Sequence, residues 1–441
     1  MKISVGVRLL DLLLTPFVVL LGAVAVLLET ALLRGLHRQT RRERRRRIVY
    51  LGTGQIAQVF PRNGVNLFLE RECSDFDGYF EQLWNIHFPA GSTGALDLTP
   101  RHHLVDVDFC LPDPASRLRA VTLAWREVRF LLWLLPFLVR HQASIVTATN
   151  PYLQGLNAAI ASRLLGLPYA VIITRDYDWD WAVLGKQAFR SVYPTRRLER
   201  GIGRWVLRHA DLVLADRQYY RDFAVRGGAA PERAVATRVL ADTAFVTAHA
   251  EQAVRQRYAS DAGPLLTYVG RLDPDKFALD LVECLSLVQR RFPDVRLVCA
   301  GTGTLREEVR RRAAELGVED NLCLPGSLPL EELPSLLANS DAVVAPHMGY
   351  TLIEAGLTGV PIVTYDYDFH AEIITDDQTG YLAPLRDVNR LAERVCQVLD
   401  DPVAARAVGT RLRERLLREH SLDAVVPLYR QAYDLVLEPS V

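Results

Sequence analysis

The alternation of apolar and polar positions divides the chain into one long hydrophobic segment and two series of short strands and helices. The hydrophobic segment, residues 12–28, has seventeen uncharged and mostly apolar residues. From residue 48 onward, short apolar runs typical of buried strands alternate with runs of helical periodicity, which predicts α/β layering with parallel sheets. In the first series we predict strands at 48–51, 144–148, 169–174 and 212–215, with a helix at 153–165.

The second series begins at residue 265 and repeats the same alternation. Its predicted strands are 265–269, 296–300, 321–324, 342–345, 361–364 and 380–382. The helix after the first of these strands has apolar side chains on one face at three- and four-residue spacing: Phe277, Leu281, Leu285, Val288 and Phe292. Two such series predict two doubly wound domains, whose ligands bind beyond the carboxyl ends of the strands.

The same pattern gives the expected division of the chain. With 441 residues and 49% apolar content, the chain is long enough to fill more than one core. We assign 1–47 to a membrane anchor helix with an arginine-rich segment, 48–246 to a first Rossmann-like domain, 247–263 to a linker, 264–415 to a second Rossmann-like domain, and 416–441 to a C-terminal helix.

The hydrophobic segment has three interpretations. Lys2 and Arg8 precede it and residues 23–25 resemble a cleavage site, as in a signal peptide. It lies at the short end of the roughly 17–25 residues that span a bilayer, so a buried core helix is the second interpretation. The third is a membrane anchor, which we favour, and Pro16 near its start allows a re-entrant hairpin as well as a span.

Eight arginines between Arg34 and Arg47 determine the expected orientation of that anchor. Cationic flanks stay in the cytoplasm, so the arginines oppose secretion and place the following domains on the cytoplasmic side, against anionic lipid headgroups. Nucleic acid is the other interpretation of an arginine run, but no aromatic residues are interleaved with this one. Lys+Arg and Asp+Glu both number 52, so the whole chain has no bulk preference for nucleic acid. We therefore expect a membrane partner and no nucleic-acid partner.

A second apolar stretch, residues 130–139, contains Trp133 and Pro136 and is too short to cross a bilayer. We slightly favour a helix that faces the core against the first sheet. The alternative is an interfacial helix that enters the leaflet beside the anchor.

The six cysteines are scattered and contain no CxxC pair, so neither a disulfide framework nor a zinc site is expected. Cys299 and Cys323 lie inside apolar runs, where we expect them to be small buried hydrophobic residues.

The segment 268–276 contains the first candidate site. A predicted strand leads to Arg271, and a proline-containing turn brings Lys276 to the start of the next helix. Two cations that converge near backbone donors suit a pyrophosphate. Taken alone, the same residues fit a solvated turn with ordinary surface charges equally well.

A second candidate lies at residues 346–356. Gly349 allows close approach of the backbone, and the amides after it, at Tyr350 and Thr351, open a helix toward an anion. Glu354 can then accept hydrogen bonds from a ribose diol. Alternatively, Thr351 and Glu354 form a helix capping box.

Three of these segments, 270–276, 300–303 and 353–363, resemble the donor domain of retaining GT-B glycosyltransferases of family 4. The resemblance covers residues 264–400 well and the first domain loosely. It implies a GT-B fold, in which two Rossmann-like domains face a cleft that holds a nucleoside-diphosphate sugar. It also implies that Arg271 and Lys276 bind the donor diphosphate. No metal or other cofactor is implied, because these cations neutralise the leaving group.

The resemblance further assigns Glu354 to the ribose of the donor and the glycine turn at 301–303 to the neighbourhood of the nucleotide. The glycine turn 52–54 follows the first predicted strand and is assigned to the same site. The expected donor-binding residues, besides the two cations, are Gly52, Gly54, Gly301, Gly303, His347, Gly349, Tyr350, Thr351 and Glu354.

The sequence departs from the family pattern near the expected donor sugar. Pro346 occupies the position of a second glutamate, which leaves His347 as the nearest side chain. Phe277 replaces the glycine that usually follows the lysine, and residues 366–370 replace a glycine pair. These departures leave the identity of the sugar open.

The end of the predicted strand 169–174 provides the acceptor-side candidates, Arg175 and Asp176. Arg175 fills the position where the family often has a histidine. The segment 176–181 alternates carboxylates and aromatics, which suits a carbohydrate, and it lacks the glycine and final glutamate of a calcium loop. Asp176 and Asp178 also imitate the metal-binding pair of GT-A glycosyltransferases, and an exposed acidic loop is the plainest alternative.

Together these features predict a membrane-associated, metal-independent glycosyltransferase with a lipid-linked or glycan acceptor, whose mechanism retains configuration as the resemblance implies. Two alternatives stay open. A nucleotide-sugar epimerase would use the same fold without an acceptor, and a non-catalytic subunit would bind nucleotide sugar or a membrane protein without turnover.

Overall fold

The computed structural model describes residues 5–40, 45–53, 75–89, 91–109, 119–185, 187–241, 245, 247, 252–259, 263–329 and 331–438. Within this part of the chain, two largely parallel sheets with helices on their faces form two Rossmann-like domains. The predicted α/β class is therefore confirmed.

The first sheet has eight strands among the described residues. They are β1 (Arg47–Gly52), β2 (Gln82–His87), β3 (Gly94–Asp97), β4 (His102–Asp106), β5 (Ile145–Ala148), β6 (Tyr169–Ile173), β7 (Leu212–Ala215) and β8 (Ala234–Ala236). Their order is β3-β4-β2-β1-β5-β6-β7-β8, and all pairs are parallel except the edge pair β3–β4. The order reverses between β1 and β5, which makes that position the switch point where ligands bind in such folds.

The second sheet has six strands in the described part of the chain. They are β9 (Leu265–Val269), β10 (Arg296–Ala300), β11 (Leu322–Gly326), β12 (Ala342–Ala345), β13 (Ile362–Asp366) and β14 (Tyr381–Pro384). Their order is β11-β10-β9-β12-β13-β14, the doubly wound order with its switch point between β9 and β12. Every strand predicted for this domain is present, with ends within three residues of those expected.

Helices connect the strands and cover both sheets. In the first half of the chain they are α1 (Val5–Thr40), α2 (Arg119–Arg140), α3 (Leu153–Leu165), α4 (Tyr177–Leu184), α5 (Arg196–His209) and α6 (Gln218–Arg226). In the second half they are α7 (Gln252–Tyr258), α8 (Ala278–Gln289), α9 (Arg306–Glu315), α10 (Glu332–Asn339), α11 (Thr351–Leu357), α12 (His370–Ile373), α13 (Val388–Asp400), α14 (Pro402–Glu419) and α15 (Leu422–Leu437).

The hydrophobic segment lies within α1, which packs along the first domain. Gly22 sits against Val128 of α2 so closely that a Cβ there would come within 2.3 Å of the valine side chain. Val26 is buried, and Arg34 Nε donates to the carbonyl of Leu164 in α3 at 2.6 Å. The side of α1 away from α2 is apolar and exposed. Residues 14–34 are apolar enough to cross a membrane by length and composition.

The stretch 130–139 forms the second half of α2 and faces the core. Phe130, Leu134 and Leu138 are fully buried, and the Phe130 ring stacks on Phe88 with centroids 3.9 Å apart. The core-facing prediction is confirmed, and the interfacial alternative is wrong, because these apolar side chains are already buried in protein.

The end of the chain crosses back to the first domain. After α14, helix α15 covers the face of the first sheet opposite α2, where Tyr433 is buried against Phe80 and its hydroxyl lies 3.2 Å from that of Tyr50. The segment 416–441, expected as one helix, therefore contains the end of α14 and all of α15.

The expected linker, 247–263, contains α7, which packs on the second domain. Arg255 pairs with Asp341 at 3.0 Å and donates to the carbonyl of Asn339 at 2.7 Å.

The cysteines of the described residues are free. Cys284 and Cys299 are buried, whereas Cys323 and Cys396 are half-buried. The expectation of a buried side chain is thus confirmed for Cys299 but wrong for Cys323, because β11 is an edge strand.

Candidate active site

A cleft of ≈ 580 Å³ lies between the two sheets, at the edge where their strands end. This volume is within the range of small-molecule sites, about 300–1,000 Å³. The cleft lies at the switch points of both sheets, since its lining follows β1, β2, β5 and β6 in the first domain and β12 and β13 in the second. Polar residues from the first domain include Asn85, His87, Thr149, Asn150, Arg175, Asp176 and Asp180. The second domain contributes Lys276, His347, Gly349, Tyr367, Asp368 and Phe369.

The structure brings together only part of the predicted site. The predicted residues that line the cleft are Gly52, Arg175, Asp176, Lys276, His347 and Gly349. Tyr350 lines an adjoining crevice of ≈ 130 Å³ that shares Gly349 with the cleft. Among the residues that the structure describes, the predicted ones that line neither cavity are Arg271, Gly301, Gly303, Thr351 and Glu354. Gly54 lies outside the described residues.

Lys276 is the cation on the second-domain wall. It ends the turn Pro274–Lys276 before α8, and its side chain is only 17% exposed. Burial lowers the pKa of Lys276, opposed by the nearby carboxylate of Asp275. Its Nζ lies 3.5 Å from His347 Nδ1, and the same ring nitrogen lies 2.7 Å from the Asp275 carbonyl, to which it can donate. An anion in the cleft would favour the ammonium form of Lys276.

Arg271 lies on the same turn but is held outside the cleft. Its guanidinium pairs with Asp273 at 2.5 Å and with Asp275 at 3.1 Å. Asp275 also pairs with Arg175 of the first domain at 3.3 Å. Three cations thus share one buried carboxylate, and this cluster joins the two domains at the rim of the cleft.

The segment 176–181 is helical, so the exposed-loop interpretation is wrong. Asp176 caps α4, and its Oδ1 accepts hydrogen bonds from the amides of Asp178 and Trp179 at 3.0 and 2.9 Å. Asp180 lies one turn along and pairs with Arg175. Burial raises the pKa of Asp176 and of Asp180. The burial of Asp176 is explained by its role as a helix cap, and the burial of Asp180 is explained by its ion pair with Arg175.

The GT-A-like metal interpretation of Asp176 and Asp178 also fails. Asp178 is engaged by Arg196 at 2.6 Å and Arg200 at 3.0 Å, and it does not line the cleft. Arg226 pairs with Asp176 at 3.2 Å. Within the described ranges, no group of three or more His, Cys, Asp or Glu side chains is arranged to hold a metal.

The predicted capping box at Thr351 and Glu354 is not formed. The capping residue of α11 is Tyr350, in helical conformation and without a side-chain cap. Gly349 precedes it, and a Cβ on Gly349 would meet no atom within 4 Å. With 7 residues, α11 is too short for its amino end to provide strong anion binding, so Lys276 is the main source of positive charge.

Gly301 and Gly303 are required by packing between two loops. A Cβ on Gly301 would lie 1.9 Å from the Gly270 carbonyl, and one on Gly303 would lie 2.3 Å from the Leu272 carbonyl. The Leu272 amide donates to the Thr302 carbonyl at 3.0 Å. These glycines therefore hold the loops after β9 and β10 together.

A buried His–Asp pair on the first-domain wall was not predicted. His87 ends β2, and its Nδ1 lies 2.8 Å from Asp106 Oδ1 at the end of the paired strand β4. Ser92 Oγ donates to the other Asp106 oxygen at 3.2 Å. When Nδ1 carries the proton donated to Asp106, Nε2 is left as a hydrogen-bond acceptor. His87 lines the cleft, so this acceptor is available to a ligand.

The segment 366–370, which replaces the family's glycine pair, forms much of the second-domain wall. His370 is buried and lies 2.6 Å from Thr364 Oγ1 and 3.0 Å from the Met348 carbonyl. Burial lowers the pKa of His370 to about 4. Tyr220 of the first domain donates to Asp368 at 2.9 Å. This contact joins the two walls across the cleft.

Two facing Rossmann-like domains with a cleft between them define the GT-B fold, and solved structures agree. Sucrose-phosphate synthase from Thermosynechococcus elongatus superposes with a TM-score of 0.70 at 18% identity, covering 88% of this chain and 99% of that one. HepE from Anabaena, solved in complex with UDP-glucose, gives 0.65 at 16% identity, with 88% and 98% coverage. The predicted GT-B fold is confirmed.

The chain also has glycosyltransferase relatives. Residues 251–415 match the family described as Glycosyl transferases group 1. Alpha-D-kanosaminyltransferase of Streptomyces kanamyceticus is 29% identical over 308 residues, 65% of this chain and 74% of that protein. A GDP-mannose-dependent alpha-(1-6)-phosphatidylinositol monomannoside mannosyltransferase of Mycolicibacterium smegmatis is 30% identical over 167 residues. That match spans 35% of this chain and 44% of the relative, less than half its length.

Proposed function

We propose that this protein is a glycosyltransferase that uses a nucleoside-diphosphate sugar as donor and binds it in the interdomain cleft. The observation that carries the proposal is Lys276, a largely buried cation on the cleft wall of the domain that matches Glycosyl transferases group 1. HepE, which has the same fold, has been solved with UDP and with UDP-glucose. That supports a nucleotide sugar as the ligand class.

Transfer of the sugar would leave negative charge on a nucleoside diphosphate. A fixed cation in a water-poor cleft stabilises such charge as it develops. Lys276 is placed for this, and a diphosphate would raise its pKa, which burial lowers. Arg271 is half-exposed on the same turn, and we propose that the diphosphate takes over part of its pairing with Asp273 and Asp275. The reaction would be metal-independent and, as the family resemblance implies, would retain configuration.

The first-domain wall would receive the acceptor. His87, Arg175 and Asp176 line it together with uncharged polar side chains. Such a surface binds hydroxyl groups rather than a second diphosphate, because carboxylates repel anions.

We further propose that the protein associates with the cytoplasmic face of a membrane and that its acceptor is lipid-linked. The outer face of α1 is apolar: Leu20, Leu21, Leu27, Leu28 and Leu32 are between 58% and 76% exposed. Trp125 of α2 is also exposed. The arginines 34–47 follow this face in the sequence, which supports anionic lipid as its partner.

The packing of α1 supports an orientation along the membrane surface. Arg126 and Glu127 of α2 lie in the same helix turn as Val128, which contacts Gly22 of α1. If α1 crossed the bilayer in this arrangement, the Arg126–Glu127 pair and the part of the first domain around it would have to enter the hydrocarbon, where charged and polar groups are costly. We therefore propose that α1 lies in the interface with its leucines in the leaflet.

The catalytic proposal is tested by a transfer assay in EDTA. The purified protein is incubated with a bacterial lipid extract and with UDP-glucose or GDP-mannose carrying a labelled sugar. We expect label in a lipid product with one of the donors, and a loss of about 100-fold or more in Lys276→Ala. Arg310→Ala, which removes an exposed cation of the same domain, should keep full activity.

Transfer that persists in Lys276→Ala would contradict the proposal. Rearrangement of the donor without an acceptor would favour the epimerase, and nucleotide binding without turnover would favour a non-catalytic subunit.

The membrane proposal is tested by flotation with phosphatidylserine-containing and with neutral vesicles. Replacing Leu28 and Leu32 with glutamate should lower binding to anionic vesicles by about 100-fold or more, because two leucines inserted in the leaflet contribute about 3 kcal/mol or more. The matched control replaces Leu422 and Leu435 of α15, which are similarly exposed. Equal loss in both double variants, or no loss in either, would contradict a membrane role for α1.

A further inference from the structure

Asp368 lies in an unusual backbone conformation on the second-domain wall of the cleft. Its φ is +55°, in the left-handed region that favours glycine or asparagine. The neighbouring side chains of Tyr367, Phe369 and His370 are buried and hold the segment in place. Left-handed residues that the surroundings impose in this way cluster at ligand-binding sites.

The carboxylate of Asp368 has one satisfied and one unsatisfied oxygen. Oδ2 accepts a hydrogen bond from the Tyr220 hydroxyl at 2.9 Å and lies 3.4 Å from His347 Nε2. Oδ1 is buried and has no hydrogen-bond partner within the described part of the protein. Leaving a buried acceptor unpaired is unfavourable, and Asp368 lines the cleft, so a small rotation of the carboxylate toward the cleft would let a ligand hydroxyl donate to Oδ1.

The position of Asp368 relative to Lys276 indicates which part of the ligand reaches it. His347 lies between them, 3.5 Å from Lys276 Nζ through Nδ1 and 3.4 Å from Asp368 through Nε2. A carboxylate accepts hydrogen bonds and repels phosphate, so it does not bind the diphosphate itself. The diphosphate of a nucleotide sugar lies between two groups that donate hydroxyl hydrogen bonds, the ribose and the transferred sugar. Asp368 contacts Tyr220 of the first domain, on the side where the acceptor is proposed to bind, so the transferred sugar is the group expected there.

We propose that Asp368 binds the donor sugar by accepting a hydrogen bond from one of its hydroxyls through Oδ1, and that it thereby helps to select the sugar. Tyr220 acts as a positioning residue, because its hydroxyl donates to the other oxygen. The inference rests on the proposed function. It gives a sugar-binding role to the segment 366–370, which replaces the family's glycine pair.

The test compares ligands with and without the sugar. Binding of UDP, UDP-glucose, GDP and GDP-mannose is measured by calorimetry for the full chain and for Asp368→Asn. Asparagine keeps the shape of the side chain and tolerates a positive φ. We expect the affinity for the nucleotide sugar to fall by about 10- to 100-fold, the loss of one hydrogen bond to a charged group, while the affinity for the matching diphosphate stays within about twofold.

Two further variants control for folding and local charge. Asp366→Asn changes an exposed carboxylate two residues away and should leave both affinities unchanged. Asp368→Gly restores the residue type that suits the backbone and should show the same selective loss, so a folding defect in Asp368→Asn does not prevent the test.

Deoxygenated donors identify the hydroxyl. The wild type should discriminate against one deoxy analogue of the bound sugar, and Asp368→Asn should no longer do so. Equal loss of diphosphate and nucleotide-sugar binding, or no loss of either, would overturn the inference while leaving the glycosyltransferase proposal standing. Absence of binding by both nucleotide pairs would overturn the proposed function itself.

Discussion

The two walls of the cleft have opposite electrostatic characters. On the second-domain wall, Lys276 is a largely buried cation that shares one carboxylate, Asp275, with two arginines, and a Cβ on Gly349 of the same wall would meet open space. On the first-domain wall, the charged groups are already paired: Arg175 with Asp180, and His87 with Asp106. One wall is prepared for an incoming anion, and the other presents neutral or compensated polar groups.

This difference explains how one cleft can bind two different substrates. A diphosphate needs positive charge that is not fully neutralised, and Lys276 contributes such charge because three cations share the single carboxylate of Asp275. Hydroxyl groups need fixed hydrogen-bond acceptors, which the paired side chains of the first-domain wall supply without attracting a second anion. The Asp275 cluster, where Arg175, Arg271 and Lys276 meet, is the electrostatic boundary between the walls.

Among the variants that distinguish the roles of the two walls, His87→Gln is expected to have the largest effect. In His87→Gln, transfer to the acceptor should fall by about 100-fold, because the acceptor hydroxyl loses an oriented base or hydrogen-bond acceptor. The affinity for the nucleoside diphosphate should stay the same, since that ligand binds the other wall. The measurement is kcat for transfer together with calorimetric diphosphate binding.

The matched control for His87 is His103→Gln. His103 also pairs with a carboxylate, Asp97 at 2.6 Å, but it lies outside the cleft. A similar loss of transfer in both variants would mean that the effect is structural and would remove the role assigned to the first-domain wall.

An intermediate effect is expected from two alanine substitutions at glycines. Gly349→Ala adds a methyl group in open space beside Lys276, so it should leave the melting temperature nearly unchanged but weaken diphosphate binding by about tenfold. Gly301→Ala forces a Cβ onto the Gly270 carbonyl and should destabilise the domain by about 3 kcal/mol. Thermal unfolding and calorimetry distinguish the two outcomes. If Gly349→Ala is the less stable of the two, the assignment of Gly349 to a ligand surface is wrong.

The smallest effect concerns acid stability of the second-domain wall. Folded His370 stays neutral down to a pKa of about 4, whereas an unfolded histidine takes up a proton near 6.5. The unfolded state therefore binds more protons between these values, and stability is lost as pH falls from about 6.5 to 4. Each such histidine contributes a slope of at most about 1.4 kcal/mol per pH unit.

The corresponding variant is His370→Gln, whose denaturant-measured stability should depend less steeply on pH in that window. His420→Gln is a positive control, because burial also lowers the pKa of His420 to about 4, and it should reduce the slope by a similar amount. An unchanged slope in His370→Gln would show that His370 is not held neutral.

The second domain could be predicted from the sequence because its central strands β9, β10 and β12 are mostly apolar runs buried on both faces. The first domain was predicted less completely. β2 has the sequence QLWNIH, and its polar Asn85 and His87 do not fit the pattern of a buried strand because they line the cleft. α4 was missed because its aromatic and acidic residues alternate, although Asp176 in the capping position was a usable signal.

Residues of the site were predicted correctly only where a continuous segment of the sequence contains the pattern that identifies them. Lys276 and Gly349 were found because each lies in a recognisable local motif. Other contacts of the site join residues that are about a hundred or more positions apart in the chain. Arg175 contacts Asp275, which Arg271 also pairs with, and Tyr220 contacts Asp368. No local sequence pattern encodes such contacts. The sequence predicted Gly301 and Gly303 to lie near the nucleotide. In the structure they are needed because the loop after β9 packs closely against them, and that contact is not visible in their own segment.

The most direct test of the central claim is diphosphate binding at Lys276. UDP and GDP are titrated into the wild type, Lys276→Ala and Arg310→Ala, with melting temperatures measured in parallel. One nucleotide should bind the wild type and Arg310→Ala alike, and it should bind Lys276→Ala at least about tenfold more weakly, without a loss of thermal stability. Binding to Lys276→Ala that equals the wild type, or no binding of either nucleotide to the wild type, would contradict the account.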